Sequence, residues 1–210
     1  MSQTTADRML RRIRAKGRGS VFTPKDFLDI GSRDNVDKTL SRLASKGLIR
    51  RLDRGLFDLP KVHPVLGVLS PTIDKLAQAV ASKTGNTAFP SGAAAANILG
   101  LTTQVPARPV FLTNGTSAVK KVAGRTLTFQ HARIPLINTI SLRANYTLQA
   151  LHYLGRKEVD SQVLGQCLKH LDDRDIKGLT QAAPQLPAWM VDIVSRMKKD
   201  KHGEVQRAGY

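Results

Sequence analysis

An α+β fold in two parts is predicted by three observations. Within the first 61 residues, short helical periodicities run into two strand-like segments around a basic turn. A His63-Pro64 break opens a region in which helices and strands mix, and from Ser141 onward apolar residues recur only at helical spacing. The predicted domains are residues 1–61 and 62–210, the second made of a mixed part (62–138), a helical part (139–198) and a basic, mobile tail (199–210). With 210 residues, 41% of them apolar, the chain can bury one good core or two modest ones without a metal or disulfide staple.

The first element, Thr4 to Lys16, places Ala6, Met9, Leu10 and Ile13 on one helical face, with Arg8, Arg11, Arg12 and Arg14 mostly elsewhere around it. Gly17 fits a C-cap, and Gly17-Arg18-Gly19 leads into a short β-type run, Ser20-Val21-Phe22. That glycine pair follows a helix rather than a strand and lacks the spacing of a phosphate loop. Thr23-Pro24 is an N-cap and first-turn pair for a short helix through Phe27 and Leu28, ended by Gly31. Ser32 caps the next helix, with Asp34 and Asp37 near its positive end and Gly47 just past its last turn. In it Val36, Leu40 and Leu43 share the inward face, leaving Arg33, Asn35, Lys38, Thr39, Ser41 and Arg42 for the outward side and its flanks. Leu48 to Leu52, the Asp53-Arg54-Gly55 turn and Leu56 to Leu59 then form a two-stranded hairpin.

This order of parts is that of a winged helix-turn-helix, and it predicts a surface for double-stranded DNA. Arg and Lys match guanine acceptors, Asn matches adenine, and Ser or Thr suits bases or phosphates, so Arg33, Asn35, Lys38, Thr39, Ser41 and Arg42 are the candidate readers. Arg50, Arg51 and Arg54 are the candidate wing residues for phosphates or a minor groove. A mixed polar helix face is also what any solvated helix presents; the basic hairpin beside it turns the reading toward DNA. Charge agrees: the formal net charge is +17, and 15 Lys/Arg against 7 Asp/Glu give residues 1–61 a net +8, against +9 over the remaining 149.

The same stretch resembles the N-terminal winged helix of AbiEi-like antitoxins, the antitoxin half of type IV toxin–antitoxin systems. The residues that carry it are Leu40-Ser41-Arg42-Leu43, Lys46-Gly47-Leu48-Ile49-Arg50 and Arg54-Gly55-Leu56-Phe57, with the aromatic one residue later than in a Gly-Tyr wing. Ala95-Ala96-Asn97-Ile98-Leu99-Gly100-Leu101-Thr102-Thr103-Gln104-Val105-Pro106 looks like the stretch that precedes the strands of that family, so the resemblance covers most of residues 20 to 135. It implies binding to inverted repeats in the chain's own promoter, repression of its operon, and a C-terminal domain that counteracts a nucleotidyltransferase-type toxin; a homodimer on DNA is an open expectation beside it.

Downstream, Ser70-Pro71 opens a helix with Ile73, Leu76, Ala77 and Val80 on one face, and Pro90-Ser91-Gly92 opens an Ala-rich one. That second helix suits packing within the chain or against another subunit. Pro109 to Thr113 is extended, Asn114-Gly115 marks a turn and Thr126 to Phe129 alternates at period two. Lys120, Lys121, Arg125 and Arg133, with His131, make a second polyanion surface or a solvated sheet face; the lack of interleaved aromatics favours the latter. Leu164, Cys167, Leu168 and Leu171 form one helical stripe, and Met190, Ile193, Val194 and Met197 another, more consistent with core than with a partner surface around Trp189. Lys198, Lys199, Lys201 and Arg207 make the tail basic.

No cofactor, metal or catalytic set is predicted. Ser117 and Lys120 have Ser-x-x-Lys spacing without the companion motifs, and Cys167, three residues before His170, falls on the apolar face. The histidines show no zinc spacing. The single cysteine and the absence of an apolar run of about 20 residues point to a reducing cytoplasm and no membrane. The expectation is a DNA-binding autorepressor and antitoxin, not an enzyme. Its rivals are a winged-helix regulator with a ligand-binding or dimerisation domain and no toxin partner, and a nucleic-acid-modifying enzyme.

Overall fold

A computed structural model of the chain describes residues 4–207, with side chains as far as Lys201. The architecture is mixed α+β, and the chain divides into two compact units: residues 1–88 with 118–128, and residues 89–117 with 129–210. The boundary expected after residue 61 therefore falls inside the first unit, which also takes back a later segment.

In the first unit, α1 (Thr5–Ala15) starts at a capping box in which the Thr4 hydroxyl accepts from the Asp7 amide and Asp7 accepts from the Thr4 amide, both at 3.2 Å. Met9 and Ile13 are its buried residues. After β1 (Val21–Phe22), the Thr23-Pro24 signal yields a single 3₁₀ turn, Pro24–Phe27. Arg12 ties α1 to the chain that follows, donating to both carboxylate oxygens of Asp29 at 2.6 and 2.7 Å and to the Asp26 carbonyl at 2.9 Å. Lys16 meets Asp26 at 2.6 Å. Burial pushes the Asp26 carboxyl up, but the bonds from Lys16 and Thr23 outweigh it and hold the group below its ordinary range.

Helix α2 (Arg33–Ser45) begins at Ser32, whose hydroxyl accepts from the Asn35 amide, and ends before Gly47, which takes the left-handed conformation at φ +69°. Strands β2 (Arg50–Asp53) and β3 (Leu56–Asp58) form the expected hairpin, and β1 pairs antiparallel with the other edge of β3 to give the order β1-β3-β2. Met9, Ile13, Phe22, Phe27, Val36, Leu40, Leu43 and Phe57 close the core. Each large apolar side chain so buried contributes roughly 1.5–3 kcal/mol. The break expected at His63-Pro64 is instead part of a second hairpin, β4 (Lys61–His63) with β5 (Gly67–Leu69); its tip is held by His63 Nδ1, which accepts from the amides of Val65 and Leu66. Helix α3 (Ile73–Lys83) buries Leu76, Ala77 and Val80 as expected. The returning segment carries β8 (Ala118–Val122) and the first half of β9 (Arg125–His131), joined by Ala123-Gly124 with both φ values positive. That is the requirement of a two-residue hairpin turn whose twist suits its strands.

In the second unit, strands β6 (Ala88–Pro90), β7 (Val110–Thr113) and the second half of β9 pair in that order. The Asn114-Gly115 turn leaves β7 without joining it to a paired neighbour, because β7 lies against β9. Helix α4 (Gly92–Ile98) packs its Ala95 and Ala96 on Ala150 of α5 (Leu142–Leu154), so the Ala-rich face is covered within the chain. Asn145, buried on α5, clamps Ile137 through the backbone amide and carbonyl at 3.0 and 2.8 Å. Helices α6 (Ser161–Leu168), α7 (Asp173–Ala182) and α8 (Ala188–Arg207) complete the unit. Both predicted stripes are buried, and Trp189 packs half-buried against the same core. The tail differs from expectation: α8 continues to Arg207, carrying Lys199 and Lys201 on a helix, while the Arg207 side chain and residues 208–210 lie outside the described residues. Among the described residues no helix is long and apolar enough to cross a membrane, and no group of three or more His, Cys, Asp or Glu side chains is placed to hold a metal.

Candidate nucleic-acid interface

Helix α2 and the β2–β3 hairpin place some of the predicted residues as expected and others elsewhere. Arg33 and Lys38 are exposed in i,i+4 ion pairs with Asp37 and Asp34, at 2.8 and 2.7 Å. Exposed pairs of this kind contribute about 0–1 kcal/mol, so either cation can exchange its carboxylate for a phosphate at little cost. Asn35 and Arg42 are also exposed and are linked through Thr39, whose hydroxyl donates to Asn35 Oδ1 at 3.4 Å and accepts from Arg42 at 3.3 Å.

Thr39 itself is fully buried, a correction to its place among the outward residues. Val36, Thr39, Leu40 and Leu43 stand at i, i+3, i+4 and i+7, so Thr39 lies on the apolar face and orients its two neighbours instead of meeting a base.

Arg50 is a second correction. Its Nε and Nη2 donate to the two oxygens of the fully buried Asp58 carboxylate at 3.0 and 2.6 Å, and Nη2 also donates to the Leu69 carbonyl at 3.1 Å. This guanidinium is spent inside the first unit. Strand alternation puts Arg51 on the opposite face, where it is exposed, stands over the Phe57 ring at 5.2 Å and donates to Ser41 of α2 at 3.0 Å. The predicted helix and hairpin residues are thereby joined side chain to side chain. Arg54 is exposed at the turn, where Gly55 supplies the positive φ of +64°.

Lys83 at the end of α3 was not among the sequence candidates. Its Nζ donates to the Arg54 carbonyl at 2.6 Å. With Lys120 and Lys121 of β8 it lines a cavity of about 470 Å³ beside Asp53 and Leu56 of the hairpin. Nothing local in the sequence announces this, because the segments are separated by dozens of residues. The predicted second basic surface divides: Lys120, Lys121 and Arg125 belong to the first unit, and Arg133 to the second.

The arrangement defines an α+β protein with a cationic face built on one helix and one hairpin. Residues 8–179 match the model of DUF6088, a family of unknown function, and the chain belongs to that family. No curated protein matches the chain.

Proposed function

We propose that α1, the 3₁₀ turn, α2 and the β1-β3-β2 sheet are a winged helix-turn-helix, and that the chain binds duplex DNA through it. Helix α2 enters the major groove with Arg33, Asn35, Lys38 and Arg42, and Arg51 and Arg54 of the wing take phosphates. The carrying observation is the Arg51 side chain, stacked on Phe57 and bonded to Ser41, which joins wing and helix in one surface. Lys83, Lys120 and Lys121 lengthen that surface past the wing. With it we propose the role of autorepressor and antitoxin in the cytoplasm, which rests on the resemblance carried by residues 40–57 and 95–106.

The test is fluorescence anisotropy with the promoter fragment upstream of the gene, titrated between 50 and 200 mM salt. The doubly substituted Arg51→Ala, Arg54→Ala protein should bind all sequences more weakly, with a log–log salt slope shallower by roughly 1.8, at about 0.9 for each phosphate no longer neutralised. Arg42→Ala or Asn35→Ala should instead relax sequence preference, by ~1–3 kcal/mol for each bidentate pairing with a base that the substitution removes. Unchanged binding in the double variant would remove the wing from the interface. Co-expression of the full chain with the product of the adjacent gene tests the antitoxin role, and failure to rescue growth would remove it.

A further inference from the structure

The second unit contains a cationic cavity of about 440 Å³ that the DNA-binding reading does not use. Arg108, His131, Arg133 and His152 line it, and no acidic side chain does. Its floor is α5, where Gln149, His152 and Tyr153 share one face at i, i+3 and i+4. Strand alternation on β7 sends Phe111 and Thr113 into the core and leaves Val110 and Leu112 as an apolar wall.

Two details mark this as a built site. Gln149 is 3% exposed, and its Nε2 is a buried donor without a partner among the described residues. Buried donors are nearly always satisfied, so this one is an unmet polar requirement in a residue that forms part of the cavity wall. Gly92 presses the start of α4 onto α5 at the same place: a Cβ there would lie 2.7 Å from the Gln149 carbonyl oxygen and 2.6 Å from Tyr153 Cβ. His131 is held in orientation as well. Its Nδ1 donates to the Gly115 carbonyl at 2.8 Å and its backbone amide donates to Ser117 Oγ at 2.9 Å, leaving Nε2 as the other ring nitrogen.

The geometry points to a binding site for a nucleotide-sized phosphomonoester, its phosphate held by Arg108 and Arg133 and its base set between Tyr153 and the Val110–Leu112 wall. Two arginines supply the planar donors that match phosphate oxygens. The volume is that of a small-molecule site, larger than inorganic phosphate needs. Tyr153 is half exposed and offers a ring face for stacking. The assignment stands on the second unit alone and is independent of whether the chain binds DNA.

Isothermal titration of the full chain at 150 mM salt tests it, with AMP, GMP, CMP and UMP as probes beside adenosine and inorganic phosphate. At least one mononucleotide should bind with 1:1 stoichiometry and at least tenfold more tightly than its nucleoside or phosphate alone. Arg108→Gln with Arg133→Gln, both exposed residues, should weaken it at least tenfold with an unchanged circular dichroism spectrum. Saturation should also move the His152 ring resonances in NMR. A 5′-phosphorylated tetranucleotide, compared with its 5′-hydroxyl form, identifies the source: tighter binding than the mononucleotide assigns the phosphate to a nucleic-acid end, and weaker binding to a free nucleotide. Equal affinity for nucleoside and nucleotide, no saturation by any mononucleotide, or full binding by the double variant would each overturn the assignment.

Discussion

Replacing Arg50 with Ala removes the partner of a carboxylate that has no access to water. Asp58 is fully buried and receives two charge-assisted hydrogen bonds from Arg50, at 3.0 and 2.6 Å. The third Arg50 bond, to the Leu69 carbonyl, joins β2 to the end of the β4–β5 hairpin. Breaking a buried pair by deleting one partner costs about 3–5 kcal/mol. The Arg50 side chain is 33% exposed, and solvent screening there places the loss near the lower end, about 3 kcal/mol. At roughly 4–8 °C per kcal/mol for a unit of about 100 residues, the first unit should melt some 12–24 °C lower. Thermal unfolding by circular dichroism measures this. On the proposed DNA binding, anisotropy of the folded protein with the promoter fragment at low temperature should meanwhile give a wild-type salt slope, because this guanidinium is already bonded to Asp58 and the Leu69 carbonyl. Adding Asp58→Asn to Arg50→Ala should recover part of the loss by removing the uncompensated charge. An Arg50→Ala protein that melts within about 2 °C of wild type, with a salt slope lower by roughly 0.9, would show one phosphate neutralised by this residue and refute its assignment to the buried pair.

Gly92→Ala should destabilise by about 1–3 kcal/mol through overpacking against α5, read as a lower urea midpoint. His152 is held below its ordinary value, first by burial and then by the charge of Arg133. The folded state thus binds fewer protons than the unfolded chain, so stability is full above the unfolded pKa of about 6.5 and falls as pH drops from there through the folded value. Urea midpoints between pH 7.5 and 5 should decline more steeply in wild type than in His152→Gln, and parallel profiles would refute this. Burial pushes the Cys167 thiol up to about 12, so a thiol reagent at pH 8 should leave the native protein unlabelled and modify one site after denaturation.

The local signals in the sequence carried much of the first unit. Ser32, Gly47 and the Val36–Leu40–Leu43 spacing delimit α2 because capping and burial of one face act over a few residues. The helical stripes of α6 and α8 were legible for the same reason. The placement of two candidate residues had readable signals: Thr39 completes the apolar spacing of α2, and Arg50 and Arg51 are adjacent strand residues that must face opposite ways. Strand β8 was not legible, because its adjacent Lys120 and Lys121 are both exposed and interrupt the alternation. Its turn uses Ala123 at φ +49°, where glycine or asparagine would have signalled it. The cavity beneath Gly92 depends on strands and helices brought together over long range, with no local pattern to mark it.

The return of residues 118–128 to the first unit has a consequence in time. A sequence that ended its first domain at residue 61 would present that domain as soon as it left the ribosome. Here roughly 70 further residues must emerge before β8 and the first half of β9 can take their places, a wait of about 4–14 s at 5–20 residues per second. During that wait the nascent chain already carries the β2–β3 hairpin without Lys120 and Lys121 near its Asp53 and Leu56. A truncation at any point before Thr128 should freeze the chain in this unfinished condition, so genetic dissection at the apparent 61/62 boundary would report on an interrupted synthesis as much as on a separated domain.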